Sequence, residues 1–212
     1  MTERLYFNTD QLNTSTSVIS CSPSDNGQFA VVLQATLFHP QGGGQPADVG
    51  MIGPANVLHV QQDGEMVVHM TDQAVAAGEI FIEVSAGPRQ LHARLHSAGH
   101  LLGYCGEQYG WKAVKGHHWP GEARVVFEAT ATAQAIDIET IAAQAHTLLL
   151  RNLPRKIIQD EHQRMISFGD LPATCCGGTH VASLVQIGKI KIVKIKQKKE
   201  LLSIHYTVEE LP

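Results

Sequence analysis

Two pairs of residues far apart in the sequence have the spacing of metal ligands. His96 and His100 lie four residues apart in LHARLHSAGH, and Cys176 and His180 lie four apart in CCGGTH. On a helix, residues four apart are separated by about 40° around the axis and about 6 Å along it, so two imidazoles can reach one ion. One thiolate and three imidazoles are a donor set that suits Zn²⁺. We therefore predict a zinc site formed by His96, His100, Cys176 and His180.

The two glycines of CCGGTH let the chain turn sharply enough to aim Cys176 and His180 at one point. Cys175 is expected to point away, because neighbouring side chains of an extended segment face opposite sides. We predict that Cys175 and Cys105 are small apolar fillers, and that Cys21 is an exposed thiol in a polar loop. The long separation between His100 and Cys176 excludes a zinc-finger hairpin, so the metal would tie a helix to a distant loop.

Other interpretations of these residues stay open. A helical HxxxH pair also occurs as an ordinary surface or core pair of histidines. If all four ligands bind at once, the site is closed, which is typical of structural zinc. If one ligand is loose, the open position can activate water or hold a substrate amine. Of the two roles in an open site, we favour positioning.

Composition limits the class of protein. The chain has 212 residues, of which 43% are hydrophobic and 17% charged, an ordinary globular balance. No apolar run approaches the ~18 residues of a membrane span, and MTERLYFNTDQLNTS has no signal-peptide pattern. Four irregularly spaced cysteines do not form a secreted disulfide framework. We expect a cytoplasmic protein with neither membrane association nor a disulfide-linked partner, and the sequence gives no indication of its oligomeric state.

The hydrophobic pattern changes its period near residue 86. Strand-like runs occur at residues 30–40, 55–60, 65–70 and 79–85, and their regular spacing predicts a small β-barrel or sandwich. Of the two we expect a β-barrel, in a domain of residues 1–86. Helical spacing then predicts a helix over about 90–108 and a second over 137–152, with Asp137 as its N-cap. Strands are predicted at 123–129, 189–193 and 201–209, the last two as an antiparallel ribbon. The predicted fold is α+β, with residues 87–212 forming a domain of helices packed on a mostly antiparallel sheet.

Charge is distributed unevenly along the chain. Residues 1–150 hold 6 Lys/Arg and 14 Asp/Glu, whereas residues 151–212 hold 10 and 6, with six lysines in GKIKIVKIKQKK. This stripe is compatible with phosphate contact or with a solvated edge strand guarded by lysines. The lysines change from odd to even positions between Ile192 and Val193, which predicts a β-bulge there if one face stays apolar.

Four motifs together resemble a known family. They are HSAGHLL at 96–102, CGGTHV at 176–181, TLFHPQGGGQPADVG at 36–50 and KGHHWPG at 115–121. They are similar to motifs of the alanyl-tRNA synthetase editing domain and of its free-standing AlaX-type relatives, in the longer form with an N-terminal glycine-rich motif. The resemblance runs over about residues 5–208 and implies that the four predicted ligands are the family's zinc ligands.

The resemblance implies an activity: a hydrolase that removes a wrong amino acid, usually serine or glycine, from alanine tRNA. A synthetase pocket sized for alanine cannot strongly reject these amino acids, because one small group is worth only ~1–3 kcal/mol. Because the sequence holds no adenylation domain, we expect ATP-independent hydrolysis in trans. Two alternatives are a zinc hydrolase of a small aminoacyl substrate without RNA, and a non-catalytic RNA-binding module that zinc only stabilises.

Several residues near these motifs have candidate roles. We assign catalytic roles to Ser97, which would contact substrate or water, and to Thr179, which would hydrogen-bond the terminal ribose. The alternatives are a small residue packed against a strand and a turn cap.

Four residues are predicted to bind substrate. Lys115 and His117 are placed in a glycine-containing loop, where a cation can meet phosphate. Gly178 would let the RNA terminus come close. Gln45, in the GGGQ run, would act at the CCA end or lock the two domains together. His118 and Trp119 are candidates for stacking on a base.

Overall fold

The computed structural model describes residues 1–159 and 163–209. The chain forms two compact units: Met1–Gly42 with Pro46–Gln90, and Gly43–Gln45 with Leu91–Pro212. The sequence pattern places the boundary at 86/87, whereas the units divide between Gln90 and Leu91. The short segment Gly43–Gln45 belongs with the second unit, apart from its sequence neighbours.

Antiparallel strands dominate the first unit. Its strands are β1 (Glu3–Arg4), β2 (Asn13–Pro23), β3 (Phe29–Leu33), β4 (Ala35–Thr36), β5 (Gly50–Ile52), β6 (Ala55–Asp63), β7 (Met66–Thr71) and β8 (Gly78–Val84). Six of them pair in the closed order β2-β3-β7-β6-β5-β8, which makes a barrel, and β1 pairs with β4 in parallel. Alternate residues face inward, as the period of a strand requires, and Val31, Leu33, Val60 and Ile82 are fully buried there.

The second unit combines helices with two sheets. Its helices are α1 (Ala86–Glu107), whose first turns lie in the first unit, and α2 (Ile138–Leu150). Its strands are β9 (Trp111–His117), β10 (Arg124–Ala129), β11 (Arg155–Gln159), β12 (Arg164–Phe168), β13 (Thr174–Cys175), β14 (Ile190–Lys198) and β15 (Leu201–Val208). One sheet has the order β14-β15-β10-β9 and the other β11-β12-β13, and every pairing within them is antiparallel. The predicted α+β class and mostly antiparallel sheets are confirmed.

Both predicted helices are present. α1 begins at Ala86, four residues before its predicted start, because Pro88 is tolerated in the first turn, where its missing N–H has no helical partner. Leu95, Ala98, Leu102 and Cys105 are buried along one face of α1. The predicted cap of α2 is confirmed, since the Asp137 side chain accepts a hydrogen bond from the Thr140 backbone N–H at 2.7 Å. No helix in the described part of the chain is long and apolar enough to cross a membrane.

The predicted bulge in the lysine-rich strand is confirmed. The register of β14 against β15 shifts between Ile192 and Lys194. The two strands do not stand alone as a ribbon, because β15 also pairs with β10 along Leu201–His205.

Some strands were not predicted from the sequence pattern. Cys21 lies half-buried on the Ser- and Thr-rich strand β2 rather than in an exposed loop, so that prediction is wrong. Lys115 and His117 lie on β9 rather than in a loop. Both errors arose because polar residues fill the solvent-facing positions of these strands and hide the apolar alternation.

Candidate metal centre

Helix α1 and the loop after β13 bring the four predicted ligands together. One donor atom from each of His96, His100, Cys176 and His180 lies within 4.8 Å of all the others. The Cys176 Sγ atom is 3.4 Å from His96 Nε2 and 3.2 Å from His180 Nε2. The rings of His96 and His100 face each other across 5.1 Å between centroids, as expected of residues four apart on a helix. Three imidazoles and one thiol at this separation fit a tetrahedral metal ion.

Two buried polar side chains orient the histidine ligands. Gln45 Oε1 accepts hydrogen bonds from His96 Nδ1 at 2.8 Å and from the Thr179 backbone N–H at 3.0 Å. Ser97 Oγ lies 3.1 Å from His180 Nδ1 and accepts a hydrogen bond from the Val181 backbone N–H at 3.1 Å. His96 therefore carries its proton on Nδ1 and turns Nε2 with its lone pair towards Cys176. Metal binding through His180 Nε2 requires the same tautomer, with Ser97 Oγ as the acceptor, which is how metal-binding histidines are usually held.

The ligand loop needs its second glycine. A Cβ atom on Gly178 would lie 2.2 Å from His96 Cε1 and 2.8 Å from Gln45 Oε1. The Gly178 backbone N–H also points at Cys176 Sγ, at 3.3 Å, and so stabilises a thiolate. Gly178 thus lets the loop lie directly against the His96 ring.

Two arginines hold the carbonyl groups of the same loop. Arg164 Nη1 donates to the carbonyl oxygens of Cys176 at 2.7 Å and Gly178 at 3.0 Å, and Arg155 donates to the carbonyl of His180. Sequence reasoning missed both residues, since no motif marks them. They lie on the neighbouring strands β11 and β12, whose pairing with each other and with β13 sets the path of the loop.

Burial favours the neutral form of His100 and His180. It lowers the pKa of His100 to about 4 and that of His180 well below its ordinary value. Burial also raises the pKa of the Cys176 thiol, while the Gly178 N–H and the Arg164 charge act in the opposite direction. Neutral imidazoles are the form that binds metal, and a cation among them would favour the thiolate of Cys176.

A cavity of about 380 Å³ opens beside the four ligands. His96, His100 and Cys176 form part of its wall, together with apolar side chains such as Val125 and Phe168. This volume lies in the range of small-molecule sites, and a mostly apolar wall with a few polar groups is typical of them.

A fifth histidine lies against the metal ligands without belonging to the group. His118 is buried, and its ring stacks on His96 with 4.3 Å between centroids. Its Nδ1 is 2.7 Å from the Tyr206 hydroxyl, which itself donates to the Leu95 carbonyl at 2.9 Å, so Nδ1 is the donor to Tyr206. Burial lowers the pKa of His118 to about 3. The ring is therefore enclosed and cannot stack on a base.

The predicted substrate-binding residues on β9 lie at different distances from the ligands. Lys115 is exposed and lines the cavity, which suits contact with an anionic group. His117 is half-buried at the end of β9 and stacks on Trp119, with an interplanar angle of 3°. Trp119 is 37% exposed, so one of its faces is open to a partner.

The two residues assigned catalytic roles lie behind the ligands. Ser97 is fully buried against His180, and the Thr179 hydroxyl accepts a hydrogen bond from Gln45 Nε2 at 2.8 Å. Cys175 does not belong to the group of ligands, as predicted, but it is exposed and its thiol donates to Gln163. The prediction that Cys175 is a buried filler is wrong, whereas Cys105 is fully buried in the core.

Comparison with known proteins agrees with this geometry. The model of the threonyl and alanyl tRNA synthetase second additional domain matches residues 164–202, which include Cys176 and His180. The alanyl-tRNA editing protein Aarsd1-A of Xenopus laevis is 31% identical over 225 residues, covering 87% of this chain and 53% of the relative. Aarsd1 of Bos taurus is 28% identical over 229 residues, covering 88% of this chain and 49% of the relative.

A longer relative matches as well. The alanine–tRNA ligase of Halorubrum lacusprofundi is 29% identical over 203 residues, covering 78% of this chain and 21% of the ligase. The chain spans about half the length of the curated editing proteins that it matches. The family resemblance of its motifs is thereby confirmed, and the chain is similar to the alanyl-tRNA editing proteins over most of its length.

Proposed function

We propose that this chain is a zinc-dependent hydrolase that deacylates mischarged tRNA in trans, with alanine tRNA carrying serine or glycine as its substrate. The observation that carries this proposal is the group of His96, His100, Cys176 and His180, of which the first three line a cavity. Relatives named as alanyl-tRNA editing proteins support the reaction class and tRNA as the partner. We expect it to act in the cytoplasm and without ATP.

The donor set fits zinc better than a harder cation, because thiolate and imidazole are the ligands that zinc prefers. When bound, the ion supplies a positive charge that polarises the ester carbonyl or holds the substrate near its amine. Gln45 and Ser97 fix the two ligand imidazoles with Nε2 inward, as their hydrogen bonds to Nδ1 require. We therefore place Ser97 and Thr179 in the support of the ligands rather than on the substrate.

The cavity wall would hold the aminoacyl end of the substrate. Its volume of about 380 Å³ accommodates a small amino acid ester and the terminal sugar. The apolar wall excludes bulk water, which strengthens the electrostatic interactions inside. Lys115 at the cavity would contact a phosphate of the terminal nucleotides.

Deacylation of alanine tRNA charged with serine or glycine tests the proposal directly. We expect the purified protein to contain zinc and to hydrolyse both esters. Cys176→Ala should lose stoichiometric metal and hydrolysis together. The matched control is Cys21→Ala, which removes a half-buried thiol on β2 of the first unit and should leave metal content and rate unchanged.

The alternatives give different outcomes in the same assay. Equal kcat/KM for a small aminoacyl ester and for the charged tRNA would favour a hydrolase that does not use RNA. Absence of any hydrolysis by the zinc-loaded protein, over a panel of mischarged tRNAs, would leave only the zinc-stabilised binding module. Full zinc content in Cys176→Ala would contradict the assignment of the ligands.

A further inference from the structure

The four-stranded sheet of the second unit has one buried and one polar face. Buried residues of β10 and β15, such as Val125, Phe127, Leu202 and Ile204, pack into the core. The alternate residues therefore point to the opposite side, because successive side chains of a strand face opposite ways. The β-bulge in β14 keeps this alternation across the shift in the lysine pattern.

Positive charge covers the polar face in rows across the sheet. Lys194 pairs with His205, which pairs with Arg124, which pairs with His117. Directly opposed residues of antiparallel strands lie on the same face, so these four side chains share it. The next row joins Lys196, Ser203, Val126 and Lys115 in the same way, and the third joins Lys198, Leu201, Glu128 and Lys112. We call these outward residues, together with Lys191 opposite Thr207, the basic face.

Little negative charge neutralises the basic face. Seven Lys and Arg residues lie on it, whereas Glu128 is the one acidic residue among the paired positions of these described strands. Glu122, just before β10, contacts His117 at the edge of the basic face at 3.4 Å. His205 at its centre is surrounded by cations. Partial burial, followed by the charges of Lys194, Lys196 and Arg124, lowers its pKa. The positive charges are thus close enough to act on one another, as an anion-binding surface requires.

The basic face continues to the cavity. β9 is the edge strand of the sheet, and Lys115 on it belongs both to the second row and to the cavity wall. The basic face and the cavity belong to the same compact unit. A polyanion lying on the basic face would therefore have its end directed along β9 to the metal centre.

We propose that the basic face binds the phosphate backbone of the double-helical stem of tRNA. This inference rests on the proposed function and deepens it, because it names the surface that carries the RNA. Single-stranded RNA is usually bound by aromatic platforms, whereas the outward residues here are mainly lysine, arginine and small polar residues. Lysines contact phosphates without distinguishing base sequence, which suits binding of a stem whose position, rather than its sequence, has to be recognised.

The test compares two variants with the same change in charge. Lys194→Glu/Lys196→Glu reverses two charges of the basic face. The control Arg151→Glu/Lys156→Glu reverses two cations of the second unit that lie outside this sheet, at the end of α2 and on β11. Thermal unfolding of both proteins shows that each is folded.

Binding of uncharged tRNA is measured over a series of salt concentrations. We expect the basic-face variant to bind at least about tenfold more weakly than the wild type. The slope of log Kd against log salt should fall by about 0.7 to 0.9 for each phosphate that the variant no longer neutralises. The control variant should keep both the affinity and the slope.

A second measurement separates the surface from the reaction. The serine ester of the trinucleotide CCA lacks a stem, so its kcat/KM should be the same for the wild type and the basic-face variant. Unchanged tRNA affinity of the basic-face variant would overturn the proposal. The same holds if the control variant loses as much tRNA affinity as the basic-face variant. It also holds if the basic-face variant loses as much kcat/KM on the trinucleotide ester as on the charged tRNA. If the wild type hydrolyses neither substrate, the proposed function fails, while the binding measurement still decides for or against the basic face.

Discussion

Ser97 and Gln45 show how buried polar side chains orient the histidine ligands that they contact. Gln45 accepts a hydrogen bond from His96 Nδ1, and Ser97 contacts His180 Nδ1. Each also accepts a hydrogen bond from a backbone N–H of the ligand loop. Both side chains are fully buried, so water cannot replace either hydrogen bond without a change in packing. Each side chain therefore sets the tautomer of an imidazole and, at the same time, the position of the loop relative to α1.

We predict that Ser97→Ala weakens zinc binding about 10- to 100-fold, the usual effect of losing a hydrogen bond to a ligand. The change leaves His180 Nδ1 and the Val181 N–H without their acceptor in a buried site. Competition with a chromogenic chelator measures the affinity. Ser203→Ala, a half-buried serine on β15, is the control and should bind zinc like the wild type. Wild-type affinity of Ser97→Ala would show that His180 does not depend on this hydroxyl.

The ligands could be predicted from the sequence, but their supports could not. Helix geometry alone brings His96 and His100 together, because they are four residues apart. A tight loop likewise brings Cys176 and His180 together. The contact of Gln45 with His96 joins residues 51 positions apart and follows no local rule. Arg164 was missed for the same reason, since its bonds to the loop depend on the pairing of β12 with β13.

Two glycines of helix α1, Gly99 and Gly103, differ in their surroundings. A Cβ on Gly99 would lie 2.3 Å from the His118 ring and 2.7 Å from the Tyr206 hydroxyl. A Cβ on Gly103, one turn later, would lie 3.6 Å from the Ala113 Cβ, an ordinary contact. The absence of a side chain at Gly99 therefore leaves space for the His118 imidazole, which packs on His96. At Gly103 an alanine would fit without displacing any neighbour.

We predict opposite effects of alanine at these two positions. Gly103→Ala should stabilise the protein by up to about 1 kcal/mol, because glycine in a helix interior costs that much relative to alanine. Gly99→Ala should destabilise it by about 1 to 3 kcal/mol, since overpacking displaces His118 or Tyr206. Chemical denaturation of the two variants measures the difference. A stabilised Gly99→Ala protein would mean that the His118 ring moves aside at no cost.

Strands were harder to predict than helices for a reason visible in β9. The sequence WKAVKGH places lysines, a glycine and a histidine between its apolar residues, and a bulge opposite Val126 and Phe127 breaks the alternation. Sheet partners, rather than local preference, make this segment a strand. In β14 the lysines change from odd to even positions, and this change predicted the bulge correctly. A strand that changes its alternation but keeps one apolar face requires a bulge.

The two compact units have separate hydrophobic cores. The first surrounds Leu33, Phe38 and Ile82 inside the barrel strands, and the second joins α1, α2 and the four-stranded sheet around Leu102 and Phe127. Each core also encloses histidines. His96 and His180 of the second unit are buried members of the metal-binding group, whereas His69 of the first unit is fully buried and does not belong to it.

His69 makes the stability of the first unit dependent on pH. Its Nε2 lies 2.8 Å from the Thr36 hydroxyl and its Nδ1 3.1 Å from the Val31 carbonyl oxygen. Burial lowers its pKa from 6.5 to about 4. Above pH 6.5 His69 is neutral in both the folded and the unfolded chain, so its burial does not make the free energy of unfolding depend on pH there. Between pH 6.5 and 4 only the unfolded chain takes up the proton, so the free energy of unfolding falls as the pH falls.

We predict that acidification from pH 7 to pH 4 destabilises the first unit by up to about 3 kcal/mol through His69. Native-state hydrogen exchange of the β3 and β7 amides, which flank His69, measures this free energy after correction for the intrinsic exchange rate. His69→Gln can keep a hydrogen bond to Thr36 but cannot take up a proton in this range, so its slope against pH should be smaller. His146→Gln, on the exposed side of α2, is the control and should show the wild-type slope. Equal slopes in wild type and His69→Gln would show that this histidine is protonated alike in the folded and unfolded chains.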